Sequence, residues 1–162
     1  MIEGDRVAVT VRVSVPPDVA FEVFTSEIDQ WWRRGVRYRV AGRRPGTLVL
    51  EPGLGGRLFE QYDGPAGTRV HEAGRITAWQ PPSHLAFEWR GSNFQPGEVT
   101  FVDVRFTATD SGGTEVALEH RGFAALRPDH PVRHGKPAEA FIRDLGSYWA
   151  DLLTGLRVYL LR

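Results

Sequence analysis

The stretch from Gly74 to Trp89, GRITAWQPPSHLAFEW, constrains the fold most, because two strand-like runs flank a Pro-Pro break. In the second run Leu85, Phe87 and Trp89 return on alternate residues, which is the period of a half-buried strand. Strands joined by so short a break must be antiparallel neighbours, since parallel pairing needs a long crossover connection. The stretch therefore predicts one hairpin of an antiparallel sheet with a buried face.

The same period of two recurs along much of the chain, between breaks rich in Gly, Pro, Asp and Ser. The first strand is indicated by strict alternation at Val7, Val9, Val11 and Val13. A second is predicted around Val36, Tyr38 and Val40. Further predicted strands are Thr47–Glu51, Arg57–Tyr62, Val70–Gln80, His84–Arg90, Val99–Thr109 and Thr114–Arg121.

Helical periodicity follows the first strand. After Pro16-Pro17 apolar residues recur at helical spacing, at Phe21, Phe24, Ile28 and Trp31. Thr25-Ser26 predicts a break that leaves two short helices. Ser26 and Asp29 have the spacing of a capping box, which would begin the second helix.

The C-terminal segment returns to helical periodicity, and Pro137 suits its first turn. Its apolar stripe comprises Ala138, Phe141, Ile142, Leu145, Trp149, Leu152, Leu153, Leu156 and Leu160. At 1.5 Å per residue this helix would run about 35–40 Å, long enough to lie across a whole sheet. The pattern predicts one α+β domain over residues 1–162, in which a curved antiparallel sheet wraps around a long C-terminal helix.

Composition narrows the class of protein. Apolar residues make up 41% and charged residues 25% of the 162 residues, which is typical of a globular domain. The net charge of zero argues against a nucleic-acid binder, and no apolar run approaches the roughly 20 residues of a membrane span. Without cysteine there is no disulfide and no thiol nucleophile. The N-terminus lacks the apolar core of a signal peptide, so we expect a cytoplasmic protein. We also expect no cofactor.

A pocket is indicated where the predicted helix crosses the sheet. Trp89 and His120 fall on the apolar faces of their strands, and His120 is the polar exception. One interpretation of His120 is a structural histidine whose nitrogens are hydrogen-bonded. The alternative is a functional residue, which would contact the ligand or act as a general base. Gly146 lies on the apolar stripe of the helix, which indicates either close helix–sheet contact or open space beneath the helix. Trp31 and Trp32 leave two interpretations, a core plug or a platform at the pocket entrance.

Several segments together resemble the START/Bet v 1-like (SRPBCC) superfamily, and within it the Hsp90 ATPase activator homologue domain. The residues that carry this resemblance are Val13–Thr25, Trp31-Trp32, Gly55-Gly56-Arg57, Gly74–Trp89, Gly113–Phe123 and Trp149–Leu160. The resemblance implies a helix-grip fold with a deep cavity between the sheet and the C-terminal helix. Its members include lipid and hormone carriers, polyketide cyclases and aromatases, and a co-chaperone domain, so the fold alone does not choose a function.

Other chemistry finds little support. His130 and His134 have the spacing of some zinc ligands, but Pro131 lies between them and no companion ligand follows, so a solvated loop is the better interpretation. We therefore predict no metal site and assign no catalytic residue. Six arginines fall between Arg33 and Arg44. They are either a solvated face or, at a cavity mouth, a site for an anionic group.

The sequence thus predicts a binding protein for a small hydrophobic or aromatic molecule, with or without an anionic head. The predicted lining is Trp89, His120, Phe141, Leu145 and Trp149, with Gly146 above the open space and Trp31 near the mouth. One alternative is a cyclase or aromatase in which His120 and a nearby Glu or Tyr move protons. Another is a co-chaperone that activates an Hsp90-type ATPase. A homodimer is left open.

Overall fold

The computed structural model describes residues 5–161; residues 1–4 and 162, at the ends of the predicted domain, lie outside that range. The strands are β1 (Arg6–Val13), β2 (Gly46–Leu50), β3 (Arg57–Gly64), β4 (Gly67–Gln80), β5 (His84–Trp89), β6 (Thr100–Ala108) and β7 (Thr114–Arg121). The helices are α1 (Pro17–Ser26), α2 (Ile28–Trp31) and α3 (Ala138–Tyr159). No helix in the described range is long and apolar enough to cross a membrane.

The strands form one antiparallel sheet in the order β1-β7-β6-β5-β4-β3-β2. Strands β2 to β7 are joined in sequence to their neighbours, and β1 pairs with β7 at the far edge. The sheet curls as a half-barrel around α3, which confirms the predicted α+β helix-grip fold. The short connections from β2 to β7 dictate the order of these six strands, because strands joined so closely pair as antiparallel neighbours. β1 is separated from β2 by the two short helices and pairs with β7 instead.

The core lies between the inner face of the sheet and α3. Alternate residues of β6 and β7 are buried, as their period predicts. The inner residues of these strands are Val102, Val104, Phe106, Val116, Leu118 and His120. From α3 the most buried side chains are Trp149, Leu152, Leu153 and Leu156, and each of these leucines contributes about 1.5–3 kcal/mol by leaving water.

The predicted strand around Val36 to Val40 is wrong, since this part of the chain folds into successive turns that we call the 35–45 loop. Gly35 takes a φ of 105°, and its carbonyl accepts hydrogen bonds from the backbone of Tyr38 and Arg39. The Arg39 side chain turns inward to Asp29, at 2.7 Å, rather than outward to solvent. Alternation in the sequence could not distinguish this buried arginine from one on a solvated strand face.

The predicted break between two short helices is confirmed, at Glu27, but the predicted capping box is wrong. Ser26 ends α1, and its hydroxyl donates back to the carbonyl of Glu22 at 2.7 Å. Asp29 does not cap α2, because its carboxylate accepts from Arg39 and from the backbone N–H of Leu48. Asp29 therefore ties α2 to the 35–45 loop and to β2.

Two glycines of α3 mark close approaches of the helix. A Cβ on Gly146 would lie 3.2 Å from Val7 of β1, so the expected open space beneath this residue is wrong and close helix–strand contact is correct. A Cβ on Gly155 would lie 3.1 Å from the carbonyl oxygen of Trp31. The absence of a side chain at each position lets α3 approach its neighbours.

Candidate functional site

Two adjoining cavities lie between the inner face of the sheet and the first half of α3, and Arg37, Trp89 and Tyr148 line both. The larger cavity has a volume of about 450 Å³. It is also lined by His120, Val132, His134, Phe141, Asp144 and Leu145. The smaller cavity has a volume of about 180 Å³. Its other walls include Trp32, Tyr38, Leu48, Glu60, His71 and Ala73.

The structure brings together four of the seven predicted site residues. Trp89, His120, Phe141 and Leu145 line the larger cavity. The other three do not line either cavity. Trp149 is fully buried behind the wall, and its ring lies 6.0 Å from that of Trp89.

Trp31 is a core residue, so its predicted place near the mouth is wrong. It is 3% exposed, and its indole N–H donates to the carbonyl of Phe24 at 3.1 Å. Trp32 takes the cavity position instead, with its ring stacked on Trp89 at a centroid distance of 6.0 Å. The adjacent indoles point to different environments because α2 ends at Trp31 and Trp32 is already extended.

His120 belongs to a closed chain of hydrogen bonds. The Trp149 indole N–H donates to its Nδ1 at 3.0 Å, so Nδ1 is unprotonated. The Nε2–H then donates to Thr100 Oγ1 at 2.7 Å, and the Thr100 hydroxyl donates to the carbonyl of Trp89 at 2.9 Å. Burial lowers the pKa of His120 to about 3. His120 is therefore a neutral wall residue whose two nitrogens are both engaged, which favours the structural interpretation over a general base.

The smaller cavity contains an acid and a base that the sequence analysis did not select. Glu60 of β3 pairs directly with His71 of β4, so the two side chains lie on the same face. The buried Glu60 carboxylate accepts backbone N–H bonds from Val40 at 2.9 Å and Ala41 at 2.6 Å. The His71 Nε2–H donates to the carbonyl of Arg90 at 3.0 Å.

A local irregularity between β3 and β4 explains why these residues were missed. Leu58 pairs with Gly74 and Phe59 pairs with Glu72, so Ala73 has no paired residue on β3 and β4 bulges there. A Cβ on Gly74 would lie 1.8 Å from the carbonyl oxygen of Glu88, so only glycine fits there. Phe59 and Tyr62 made the inner face of β3 ambiguous in the sequence. Leu58 and Glu60 lie two residues apart and therefore share one face of β3, which was the available signal that Glu60 faces inward.

Tyr148 stands on α3 between the two cavities. Its ring stacks on that of Tyr38 at 5.4 Å, and within residues 5–161 its hydroxyl makes no hydrogen bond. Burial raises the pKa of Tyr148, which keeps the phenol protonated and available as a donor. Tyr148 lies three residues after Leu145 and four before Leu152, which is the spacing of the apolar stripe, so periodicity could not distinguish it from a core residue.

Of the six arginines between Arg33 and Arg44, only Arg37 and Arg39 reach the cavities. Arg39 is buried and held by Asp29. Arg37 is solvent-accessible and donates to Asp151 at 3.0 Å and to the Tyr38 hydroxyl at 3.3 Å. A guanidinium has five donors, so Arg37 keeps some for another acceptor at the cavity edge.

The segment before α3 is not the solvated loop that was predicted. His130 is 1% exposed, and its Nε2–H donates to Glu98 at 2.9 Å. His134 is exposed and lies at the edge of the larger cavity. Within the described residues, no group of three or more His, Cys, Asp or Glu could hold a metal ion.

Comparisons with known proteins give a family and a set of related folds. The family described as Activator of Hsp90 ATPase homolog 1-like protein matches residues 14–153. No curated protein matches the sequence. Among solved structures, a Rhodobacter sphaeroides protein is 22% identical with a TM-score of 0.65, covering 98% of this chain and 93% of its own.

Two further solved structures carry functional titles. An HSP90 activator from Plasmodium falciparum is 17% identical with a TM-score of 0.63, covering 96% of each chain. An anthrahydroquino-Gama-pyrone synthase, Txn09, solved in complex with a ligand designated SUM, is 28% identical with a TM-score of 0.55. That match covers 95% of this chain and 99% of the synthase.

Proposed function

The chain belongs to the Activator of Hsp90 ATPase homolog 1-like family, and on this premise we propose that it binds a small aromatic or hydrophobic molecule in the larger cavity. The observation that carries the proposal is the cavity itself. Its volume of about 450 Å³ lies within the roughly 300–1,000 Å³ of small-molecule sites. Its inner walls are Trp89, Phe141 and Leu145, and its charged groups lie at the edge.

These walls suit a flat ring system. Aromatic pairs contribute about 0.5–1.5 kcal/mol beyond the area that they bury, and Trp89 and Phe141 present rings to the cavity. Trp89 is itself fixed by Trp32 and Trp149, whose rings lie 6.0 Å from it. Because the Trp89 side chain is already held in place, ligand binding loses little of its conformational entropy.

An acidic group on the ligand is favoured by Arg37. This guanidinium borders both cavities, and its contact with Asp151 is accessible to solvent. Asp144 also lies at the edge of the larger cavity, but Lys136 pairs with it and offsets its charge. The proposed ligand therefore has an aromatic body inside and an anionic head at Arg37.

A fluorescence titration with anilinonaphthalene sulfonate, an aromatic anion, tests this proposal. We expect saturable binding to the wild type and at least a roughly tenfold loss in Leu145→Trp, because the larger indole occupies the cavity (about 1.4 kcal/mol per tenfold). Val158→Trp is the matched control, since Val158 lies on the same helix but is 58% exposed. Equal binding by both variants would contradict the proposed site.

A second titration separates the contribution of the aromatic body to binding from that of the anionic head. Arg37→Gln should weaken the binding of anilinonaphthalene sulfonate roughly tenfold while leaving that of the uncharged N-phenyl-naphthylamine unchanged. A hydrogen bond to a charged group contributes about 1.5–3 kcal/mol, and the solvent-accessible position of Arg37 favours the lower end of that range. Equal losses for the two probes would show that Arg37 shapes the wall rather than recognising the anion.

The likeness to the pyrone synthase favours a second candidate, a ring-forming enzyme that acts on a bound aromatic molecule. The family description and the Plasmodium protein favour a third, activation of a chaperone ATPase. The third is tested by adding the protein to an Hsp90-type chaperone and measuring ATP hydrolysis. Stimulation of hydrolysis that Leu145→Trp does not affect would assign the function to the surface instead of the cavity.

A further inference from the structure

We propose that the smaller cavity is a proton-transfer site, in which His71 removes a proton from the carbon next to a ketone carbonyl and Tyr148 donates a hydrogen bond to the enolate oxygen. The proposal rests on the proposed function, because the larger cavity would hold the aromatic body of the same ketone. Trp89 and Tyr148 line both cavities, so one molecule can extend from one cavity into the other.

The tautomer of His71 is fixed by its hydrogen bond. A carbonyl oxygen can only accept, so the contact with Arg90 at 3.0 Å places the proton on Nε2. In the neutral ring Nδ1 then carries a free lone pair, and within residues 5–161 no donor binds it. His71 is thus a base that is oriented by a third group, which is the arrangement expected of a general base. His120, in contrast, has both nitrogens engaged.

Glu60 lies beside His71 in the smaller cavity and holds the 35–45 loop. The two residues are direct cross-strand partners, so their Cβ atoms lie about 4.5–5.5 Å apart. Described side chains provide no cationic partner within salt-bridge distance of the Glu60 carboxylate, which is held only by two backbone N–H groups. Glu60 is a positioning residue, because its two backbone hydrogen bonds hold the 35–45 loop over the smaller cavity.

Tyr148 supplies the donor from the opposite wall. His71 belongs to the sheet and Tyr148 to α3, so a molecule in the smaller cavity lies between them. The phenol has no hydrogen bond within the described residues, and its raised pKa keeps its proton in place. A pre-positioned donor of this kind stabilises negative charge as it develops on a carbonyl oxygen.

The step is balanced without a further reactant. His71 Nδ1 takes the proton from the carbon, the C–H electron pair forms a C=C bond, and the carbonyl π pair moves to oxygen. The Tyr148 O–H donates to that oxygen. The Nδ1–H of the protonated His71 exchanges with the solvent, and return of a deuteron from His71 to the same carbon restores the ketone, so in D₂O the carbon gains deuterium.

Deuterium exchange into β-tetralone, a bicyclic aromatic ketone, tests the proposal. Proton NMR in D₂O measures exchange, and saturation-transfer NMR measures binding. We expect the wild type to accelerate exchange over buffer and His71→Gln to lose roughly 100-fold of that rate with binding retained. Tyr148→Phe should also lose roughly 100-fold without weaker binding. His84→Gln is the matched control, since His84 pairs with Asp103 outside both cavities and should exchange at the wild-type rate.

The outcomes distinguish this proposal from the binding function. Binding of β-tetralone without accelerated exchange, or a wild-type rate in His71→Gln, would overturn the proton-transfer site and leave the binding function intact. An unchanged rate in Tyr148→Phe would remove Tyr148 from the site. Absence of β-tetralone binding in a protein that still binds anilinonaphthalene sulfonate would overturn the proton-transfer site alone, and absence of binding of either molecule would overturn both proposals.

Discussion

At the scale of single residues, His120 shows how the wall of the cavity tolerates a polar group. Trp149 donates to one ring nitrogen and Thr100 accepts from the other, so no hydrogen-bonding capacity is left unsatisfied. An unpaired buried polar atom would cost about 1–3 kcal/mol. The same contacts fix the ring as neutral and hold Trp149 against the back of Trp89.

The neutral state of His120 predicts a pH dependence of stability. Burial lowers its folded-state pKa to about 3, whereas the unfolded chain has a value of about 6.5. Below about pH 6.5 only the unfolded state takes up the proton, so the free energy of unfolding falls by up to about 1.4 kcal/mol per pH unit until about pH 3. Urea unfolding of the wild type and His120→Gln from about pH 7 to about pH 4 measures this. The stability advantage of the wild type should shrink as pH falls, and a constant difference would contradict a neutral buried His120.

At the scale of elements, α3 depends on glycines at two different contacts. Gly146 faces the side chain of Val7, a partly exposed residue of an edge strand that can move by a few tenths of an ångström. Gly155 faces the backbone carbonyl of Trp31, which cannot move aside in the same way. Two substitutions that are identical in chemistry therefore have different expected effects.

Gly146→Ala should be close to neutral or stabilising, because alanine gains about 1 kcal/mol of helix propensity and Val7 can move aside. Gly155→Ala should destabilise by about 1–3 kcal/mol, since its Cβ presses on a rigid carbonyl. Urea unfolding measures both. The control is Val7→Ala combined with Gly146→Ala, in which the clash is gone and the full propensity gain should be seen. Equal effects at both glycines would contradict the described contacts.

The 35–45 loop is the element that closes the smaller cavity. Asp29 pairs with both Arg39, whose side chain is 2% exposed, and Arg34, whose side chain is 57% exposed. Arg39→Gln should destabilise by about 3 kcal/mol, because it breaks a buried pair. Arg34→Gln is the matched control and should cost less than about 1 kcal/mol. Chemical unfolding distinguishes them, and comparable losses would show that the loop does not depend on the buried pair.

At the scale of the whole molecule, the space between sheet and helix is filled at one end and open at the other. The second half of α3 packs Leu152, Leu153 and Leu156 into the core. The first half, through Phe141, Leu145 and Tyr148, lines the cavities. The same helix therefore stabilises the domain and covers the candidate site.

Periodicity predicted much of this architecture, because each strand and α3 carries its own repeat. It failed where the structure depends on distant contacts. Residues around Val36 alternate like a strand, yet Asp29 draws Arg39 inward. The bulge at Ala73 decides the pairing that brings Glu60 beside His71, and no local pattern encodes it. Periodicity therefore placed Trp89, His120, Phe141 and Leu145 around the larger cavity, whereas Glu60 and His71 of the smaller cavity were not predicted.

The most direct test of the account is an isotope-filtered NOE spectrum of the protein saturated with anilinonaphthalene sulfonate, which reports the protein protons that touch the probe. The account predicts contacts from the aromatic protons to Trp89, Phe141 and Leu145, which line the larger cavity. Contacts confined to exposed apolar residues such as Leu54, which is 76% exposed, would contradict it.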